Sequence, residues 1–327
     1  MLRRSVLGIG LAGGVSTFVG ACGSGSTGSG STGSTKSHGA ATASSAASQK
    51  PLYDAESYPP PAIALDQLKK LYVYDQKSVL GALLTNTRFD PGLRIEDLTY
   101  SGVPGTTIPL YVVAPADPKA LLPGVVFAGD AGTSRDALLP EVEALSRLGI
   151  VAALAHLDFT PTGDPQGDST LMINAVIAQR RALDLLGRRD DVDPSRLAII
   201  GYGWGGAQAQ IVAGLDTRPL GVGVVASGGR WSRTAYRTAK AADATGYLDS
   251  LTRFDGVRYM TVAGKRQVLL QFGKQDATVS AAEANELAAA TVGTKDRKDY
   301  DASHDLTAVP AAVADRAAFL RRVLRMK

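Results

Sequence analysis

Chemistry near neutral pH needs a group that gains or loses a proton there and a group that attacks, and this 327-residue chain holds few of either: three histidines and one cysteine. His304 sits in the polar stretch Tyr300-Asp-Ala-Ser-His304-Asp305. Taken alone, a loop histidine is more often a surface residue than a base. His156 ends an apolar run and reads as a core or rim residue, with a place at the carboxyl ends of the strands as the alternative. His38 falls among glycines, serines and threonines and reads as a solvated linker residue. Ser227 follows an apolar run and Ser134 the polar stretch Gly129–Thr133, and both fit turn or helix-cap positions better than a nucleophile's. No Cys/His spacing of a zinc site and no glycine loop ending in Gly-Lys-Ser/Thr occurs, so no metal and no cofactor is expected. Lysines and arginines are scattered, which leaves nucleic acid without support and makes a small molecule or a peptide-like substrate the expected partner.

One stretch is specific. Asp193-Pro-Ser-Arg-Leu-Ala-Ile-Ile-Gly-Tyr-Gly-Trp-Gly-Gly206 runs from an apolar strand into a glycine-rich turn and then a helix. It resembles the strand, elbow and helix of the α/β-hydrolase superfamily, in particular its dienelactone-hydrolase and acyl-esterase branch. The resemblance covers about residues 62–327. It implies a nucleophile between the elbow glycines, and here that position is Gly203, which has no side chain. Val268-Leu-Leu-Gln-Phe-Gly-Lys-Gln-Asp276 resembles the strand and loop that deliver the acid, and the stretch ending at His304 resembles the loop that carries the base. The order nucleophile, acid, base is the family's order. Val125-Val-Phe-Ala-Gly129-Asp130-Ala131 resembles the first strand and oxyanion loop, where relatives carry a His-Gly pair and this chain has Gly129 and Asp130. Backbone N–H groups of Trp204 and of the Asp130–Gly132 loop would then line an anion or carbonyl pocket. A carboxylate at Asp130 opposes a developing oxyanion unless it points outward.

The elements that must position these residues follow from periodicity. An amphipathic pattern from Ala62 to Leu84 predicts helical or turn-rich structure. Arg94–Tyr100 and Thr107–Ala114 read as a β-hairpin. Beyond Pro123, short apolar runs alternate with helices: strands at Gly124–Ala128, Val151–Leu157, Leu197–Gly201, Gly221–Ala226, Gln267–Phe272 and near Lys298–Tyr300, with helices at Arg135–Leu148, Leu171–Leu186, Gly205–Leu215, Ala281–Thr291 and Ala308–Met326. Ser280-Ala-Ala-Glu283 is a capping box that fixes the start of one of them. The expected fold is α/β: an α/β-hydrolase fold with a mostly parallel central sheet, an N-terminal antiparallel hairpin and helices on both faces. Arg230–Met260, with Trp231, Tyr236, Tyr247 and Phe254, is irregular and partly helical, and reads equally as a lid or as packed helices.

The N-terminus reads as an export and anchoring signal. Arg3 and Arg4, the apolar stretch Val6–Phe18, and Val19-Gly-Ala-Cys22 resemble a bacterial lipoprotein signal peptide over residues 1–21 with its lipobox. That resemblance implies a diacylated Cys22 as the mature N-terminus, on the outer face of the cell membrane. Arg3-Arg4 also resembles a twin-arginine signal. Residues 22–50 are a Gly/Ser/Thr/Ala-rich tether, and 51–327 the hydrolase-like domain. The formal net charge is +4, half of it from Arg3 and Arg4. Three functions are weighed for such a chain. The first is a degenerate hydrolase that keeps its cleft for an acyl or ester-like ligand, in a binding or accessory role. The alternative is an active esterase, thioesterase or dienelactone-hydrolase-like enzyme that uses His304 and Asp276 with a non-standard nucleophile or activated water. A passive partner surface with no ligand is the third.

Overall fold

The computed structural model describes residues 63–326 apart from His156, Asp158 and Lys265. The signal segment, Cys22, the tether with His38, and His156 therefore lie outside the described residues.

The described chain winds a nine-stranded sheet in the order β1-β2-β3-β5-β4-β6-β7-β8-β9. The strands are β1 (Leu83–Asp90), β2 (Leu93–Ser101), β3 (Thr107–Pro115), β4 (Leu122–Ala128), β5 (Val151–Ala155), β6 (Val192–Tyr202), β7 (Pro219–Val225), β8 (Gln267–Gly273) and β9 (Lys295–Tyr300). From β5 to β9 all neighbours are parallel, while β1, β2 and β3 form an antiparallel meander whose last strand pairs with β5. Central strands such as Val125-Val-Phe and Leu197-Ala-Ile-Ile are apolar without interruption because both of their faces are covered.

Alternate residues feed two core layers. Val125, Phe127 and Ile200 pack under α2 (Leu139–Arg147) and α9 (Pro310–Val323). Val126 and Ile199 face the opposite layer, with α3 (Pro165–Gly187) and α4 (Trp204–Leu215). That layer is completed by α5 (Trp231–Ala239), α6 (Ala244–Leu251), α7 (Gly256–Met260) and α8 (Ala281–Ala290). The capping box at the start of α8 is present in both directions between Ser280 and Glu283.

Two expectations change and one left open is decided. The stretch read as helical up to Leu84 holds only a short helix, α1 (Leu65–Lys69), and a 3-10 turn (Lys70–Tyr72) before β1 begins. β1 is mostly exposed and carries no apolar alternation, so its strand state comes from pairing with the edge of β2, a long-range cause that local periodicity does not record. The helix read from Leu171 starts six residues earlier, because the Asp164 side chain accepts from the Gln166 and Gly167 N–H groups and Pro165 opens the first turn. The Arg230–Met260 segment is packed helix rather than lid: Trp231, Tyr247 and Phe254 are 3%, 1% and 0% exposed, and the Tyr247 hydroxyl donates to Asp168 at 2.6 Å.

A buried arginine ties the layer beneath the site together. Arg316 of α9 is fully enclosed, with its guanidinium on both carboxylate oxygens of Glu141 in α2 at 2.7 and 2.8 Å. It also donates to Gln271 Oε1 on β8 and to the carbonyl of Leu306, two residues after His304. Glu141 accepts in turn from the Tyr202 hydroxyl at the end of β6. Removing one partner strands a charge in the interior. We therefore expect Arg316→Met to lower unfolding free energy by about 3–5 kcal/mol. The paired change Glu141→Leu/Arg316→Met should recover most of the loss, as read from urea denaturation midpoints.

Candidate active site

The elbow survives the loss of its nucleophile. Gly203 has φ 49° and ψ −110°, a conformation that side-chain-bearing residues rarely adopt, and its N–H is held by the Val225 carbonyl at 2.8 Å. Gly205, one turn on, lies so close to the end of β4 that a Cβ there would stand 2.2 Å from the Ala128 carbonyl oxygen. Its N–H donates to the Gly129 carbonyl at 3.2 Å, so Gly129 braces the turn. Ala226, across the turn at the end of β7, is held at φ 48°, a strained value for a residue with a Cβ.

The space above the elbow is full. A Cβ on Gly203 would meet Asp130 Oδ1, Cγ and Oδ2 at 2.0, 2.1 and 2.3 Å. The Asp130 carboxylate thus lies where a side chain of residue 203 would project. Its Oδ1 accepts from the Trp204 N–H at 2.9 Å and from the Ala131 N–H at 2.8 Å. These are the two donors expected to form an oxyanion pocket, and they close on a carboxylate of the chain itself, at the N-terminus of α4 where negative charge is favoured. Of the two orientations expected for Asp130, opposing the pocket or pointing outward, it takes the first: it points inward and occupies the donors itself. The physical reason is the missing Cβ at Gly203, whose place the carboxylate takes.

The same carboxylate reaches the base. Asp130 Oδ2 is 3.1 Å from His304 Nε2, and His304 Nδ1 is 2.8 Å from Asp276 Oδ2. Asp276 is fixed from behind by the N–H groups of Thr278 and Val279 at 2.7 and 2.9 Å. Burial alone would push its pKa up; the bond from His304 and those N–H groups outweigh that and hold the carboxyl below the ordinary carboxylate range. The imidazole donates to a carboxylate on each side, first Asp130 and then Asp276, and these bonds outweigh its burial and push it up to about 10. Such a ring stays protonated at neutral pH and cannot accept a proton from water or a hydroxyl while Asp130 holds it. Ser227 is buried and accepts from Gln210 Nε2 at 3.2 Å, and Ser134 precedes a 3-10 turn in an exposed position. With both ring nitrogens of His304 taken by carboxylates, neither serine partners it.

Two cavities meet at Gly203 and His304. The smaller, about 20 Å³, is lined by Trp204, Trp231 and Ala207 with Ser227, Thr234 and Thr278. The larger, about 230 Å³, opens on Asp130 and is lined by Leu138, Tyr202, Val225, Leu306, Thr133, Thr307 and a second acid, Asp305. Among the described residues no group of three or more His, Cys, Asp or Glu side chains is placed to hold a metal ion. Sequence reasoning named Gly203, Trp204, Gly129, Asp130, Ala131, Asp276 and His304, and the structure brings all seven together around the elbow. It missed that the two departures, a glycine at 203 and an acid at 130, are one change in space. It also missed the Thr278 and Val279 N–H groups, which the Asp-x-Thr pattern of an Asx turn would have flagged.

The doubly bonded ring makes a pH prediction. His304 binds its proton more tightly in the folded chain than in the unfolded one, so the stability it contributes is complete below about pH 6.5 and is lost as pH rises through about 10. NMR titration of the His304 ring should show it protonated at pH values where an ordinary histidine is neutral, and Asp130→Asn should bring its midpoint down toward the ordinary range. An unchanged midpoint in that variant would contradict the bond.

No family profile and no curated protein sequence matches this chain. Solved structures do. An acetyl xylan esterase from Paenibacillus sp. R4 superimposes with a TM-score of 0.64 at 21% identity, over 79% of this chain and 92% of the other. Acetyl xylan esterase 1 from Thermoanaerobacterium sp. JW/SL YS485 gives 0.61 at 14% identity, over 80% and 99%. A cold-adapted esterase from an Arctic intertidal metagenomic library gives 0.54 at 18% identity, over 73% and 97%. Each is an esterase by its own description, and what these similarities share with the strand order and elbow described above is the architecture. This chain has the α/β-hydrolase fold.

Proposed function

We propose that this chain is an exported, lipid-anchored hydrolase-fold protein that has given up serine acyl transfer and keeps its cleft as a binding site in an accessory role. One observation carries the reading: the Asp130 carboxylate stands in the nucleophile's space, holds both oxyanion donors and keeps His304 protonated. Acyl transfer needs an attacking hydroxyl or thiol, a free base and an empty pocket for the carbonyl oxygen. In this arrangement none of the three is available. An ester-like ligand, as the fold relatives would take, finds no free donors for its carbonyl, so the apolar walls around Leu138, Val225 and Leu306 favour an apolar ligand lying beside the acid.

The second reading, a working hydrolase with a non-standard nucleophile, is favoured by the retained hydrogen bond between His304 and Asp276 and by the placement of Asp130 itself. Activated water through His304 has less support, because the ring carries no free lone pair beside Asp130.

The acyl-transfer question is decided with the purified full chain and p-nitrophenyl acetate. We expect the native chain to be inert, and Gly203→Ser alone to stay inert because its side chain collides with Asp130. Asp130→Gly/Gly203→Ser, which empties the space and supplies the hydroxyl, should gain hydrolysis that a further His304→Ala removes. His304-dependent turnover by the native chain would sink the reading.

Anchoring rests on the resemblance of residues 1–22 to a lipoprotein signal. Cys22→Ser should block processing and shift the chain out of the detergent-extracted membrane fraction. If processing and membrane partition are unchanged, the anchor lies elsewhere or is absent.

A further inference from the structure

Resting on the binding reading above, we propose that the cavity beside Asp130 takes an organic cation, a short-chain primary amine in its ammonium form. The lining carries the proposal: its side-chain donors are all spent within the chain, and what it offers a ligand is acceptors.

Four lining side chains have a proton to donate: Thr133, Tyr202, His304 and Thr307. The Thr133 hydroxyl donates to the Asp130 carbonyl at 2.7 Å, and the Thr307 hydroxyl to Asp305 Oδ1 at 2.6 Å. The Tyr202 hydroxyl donates to the buried Glu141 at 2.9 Å. His304 has a carboxylate on each ring nitrogen. The backbone N–H groups of Trp204 and Ala131, which converge at the elbow, close on Asp130 Oδ1. A ketone, ester or carboxylate ligand accepts hydrogen bonds, so it would give up its water partners here without replacement. A ligand that only donates is matched.

Charge selects among the donors. Asp130 and Asp305 line the cavity and Asp276 stands behind His304, so three carboxylates face one imidazolium. Among the described residues that line the cavity there is no lysine or arginine, although the chain carries 35 of them. Arg316 acts on Asp305 through space, but its guanidinium is buried and held by both carboxylate oxygens of Glu141. The Thr307 hydroxyl and N–H hold the Asp305 carboxyl below the ordinary carboxylate range, so it keeps its charge at neutral pH. Both of these bonds fall on Oδ1, which leaves the lone pairs of Oδ2 for a ligand. An anion is repelled by this surface, and a neutral donor gains nothing from its charge.

A primary ammonium has three N–H donors and no acceptor, the complement of such a lining. The remaining wall decides what hangs from the nitrogen. Leu138, Val225 and Leu306 are buried and apolar, which favours an alkyl chain over a bare inorganic cation. About 230 Å³ gives that chain room.

The test is a titration of the purified full chain with butylammonium chloride at neutral pH, followed by calorimetry and by the ¹⁵N signals of the His304 ring, which lies in the lining. Butan-1-ol and sodium butyrate carry a chain of similar size on a neutral and an anionic head. We expect saturable heat and a saturable ring shift with butylammonium, binding weaker by about tenfold or more with butanol, the loss that follows when a charge-assisted hydrogen bond is removed, and none with butyrate. Asp305→Asn removes one charge at an exposed position and should weaken butylammonium by about two- to fivefold. The comparison of the three head groups uses the native chain, so it stands even where that variant misfolds.

Butanol or butyrate binding as tightly as butylammonium would overturn the proposal. So would potassium chloride reproducing the ring shift at the same concentration, since the apolar wall would then play no part. Butanol binding without butylammonium binding removes the cation while keeping the cleft as a binding site. His304-dependent hydrolysis of p-nitrophenyl acetate by the native chain removes the binding reading; a saturable butylammonium shift then still supports the cation class, and its absence overturns it.

Discussion

Only one group fits above the elbow of this sheet, and that exclusion organises the site. A Cβ at 203 would stand about 2 Å from the Asp130 carboxylate, so a side chain on the elbow could enter only by pushing that carboxylate aside. Everything around that point adapts to the acid. The two backbone donors close on its Oδ1, the imidazole closes on its Oδ2, and the imidazole is charged because a second carboxylate faces its other nitrogen. A net charge of one minus is thereby spread over three side chains at the mouth of the cleft, stabilised by the N-terminal end of α4.

The scaffold that permits this is insensitive to it. The parallel strands end at one edge, where β4 delivers Asp130, β6 delivers the elbow, β8 delivers Asp276 and the loop after β9 delivers His304. Such an edge is where ligands bind in open α/β sheets, whatever chemistry the loops carry. The architecture shared with esterases therefore says little about the reaction, which is decided by a few atoms at the strand ends. The buried cluster of Arg316, Glu141, Tyr202 and Gln271 fixes the relative positions of α2, β6, β8 and the histidine loop from below. Its cost in desolvation is offset only by complete pairing, which makes it a specifying feature more than a stabilising one.

The strained points are concentrated at this edge. Gly203 and Ala226 both hold positive φ, and both line the two cavities. Strain of this kind persists where surrounding contacts fix it, and here the Val225 carbonyl and the Gln271 carbonyl each accept one N–H that locks the turn. A site that had lost all use for its geometry would have no need to keep the His304–Asp276 bond, the converging donors and the strained elbow together.

Much of this was legible in the residues alone. The run from Leu197 to Gly206 announced a strand, a tight turn and a helix because apolar periodicity and glycine placement act locally. Asp276 and His304 were legible only through the resemblance of their segments, in order after the elbow, to the α/β-hydrolase superfamily, and the box at Ser280 through two residues three apart. β1 was not, because an exposed edge strand is made by its partner, and Asn86 or Thr87 says nothing of β2. The direction of Asp130 was not legible either. Residues 130 and 203 are far apart in sequence, and whether an acid opposes a pocket or fills it depends on a separation of two or three ångströms set by the packing of β4 against β6. Sequence alone determined which groups are available, since that depends on composition and local pattern. Tertiary structure decided which group stands where the nucleophile would, since that depends on two backbones brought close enough that only one side chain fits.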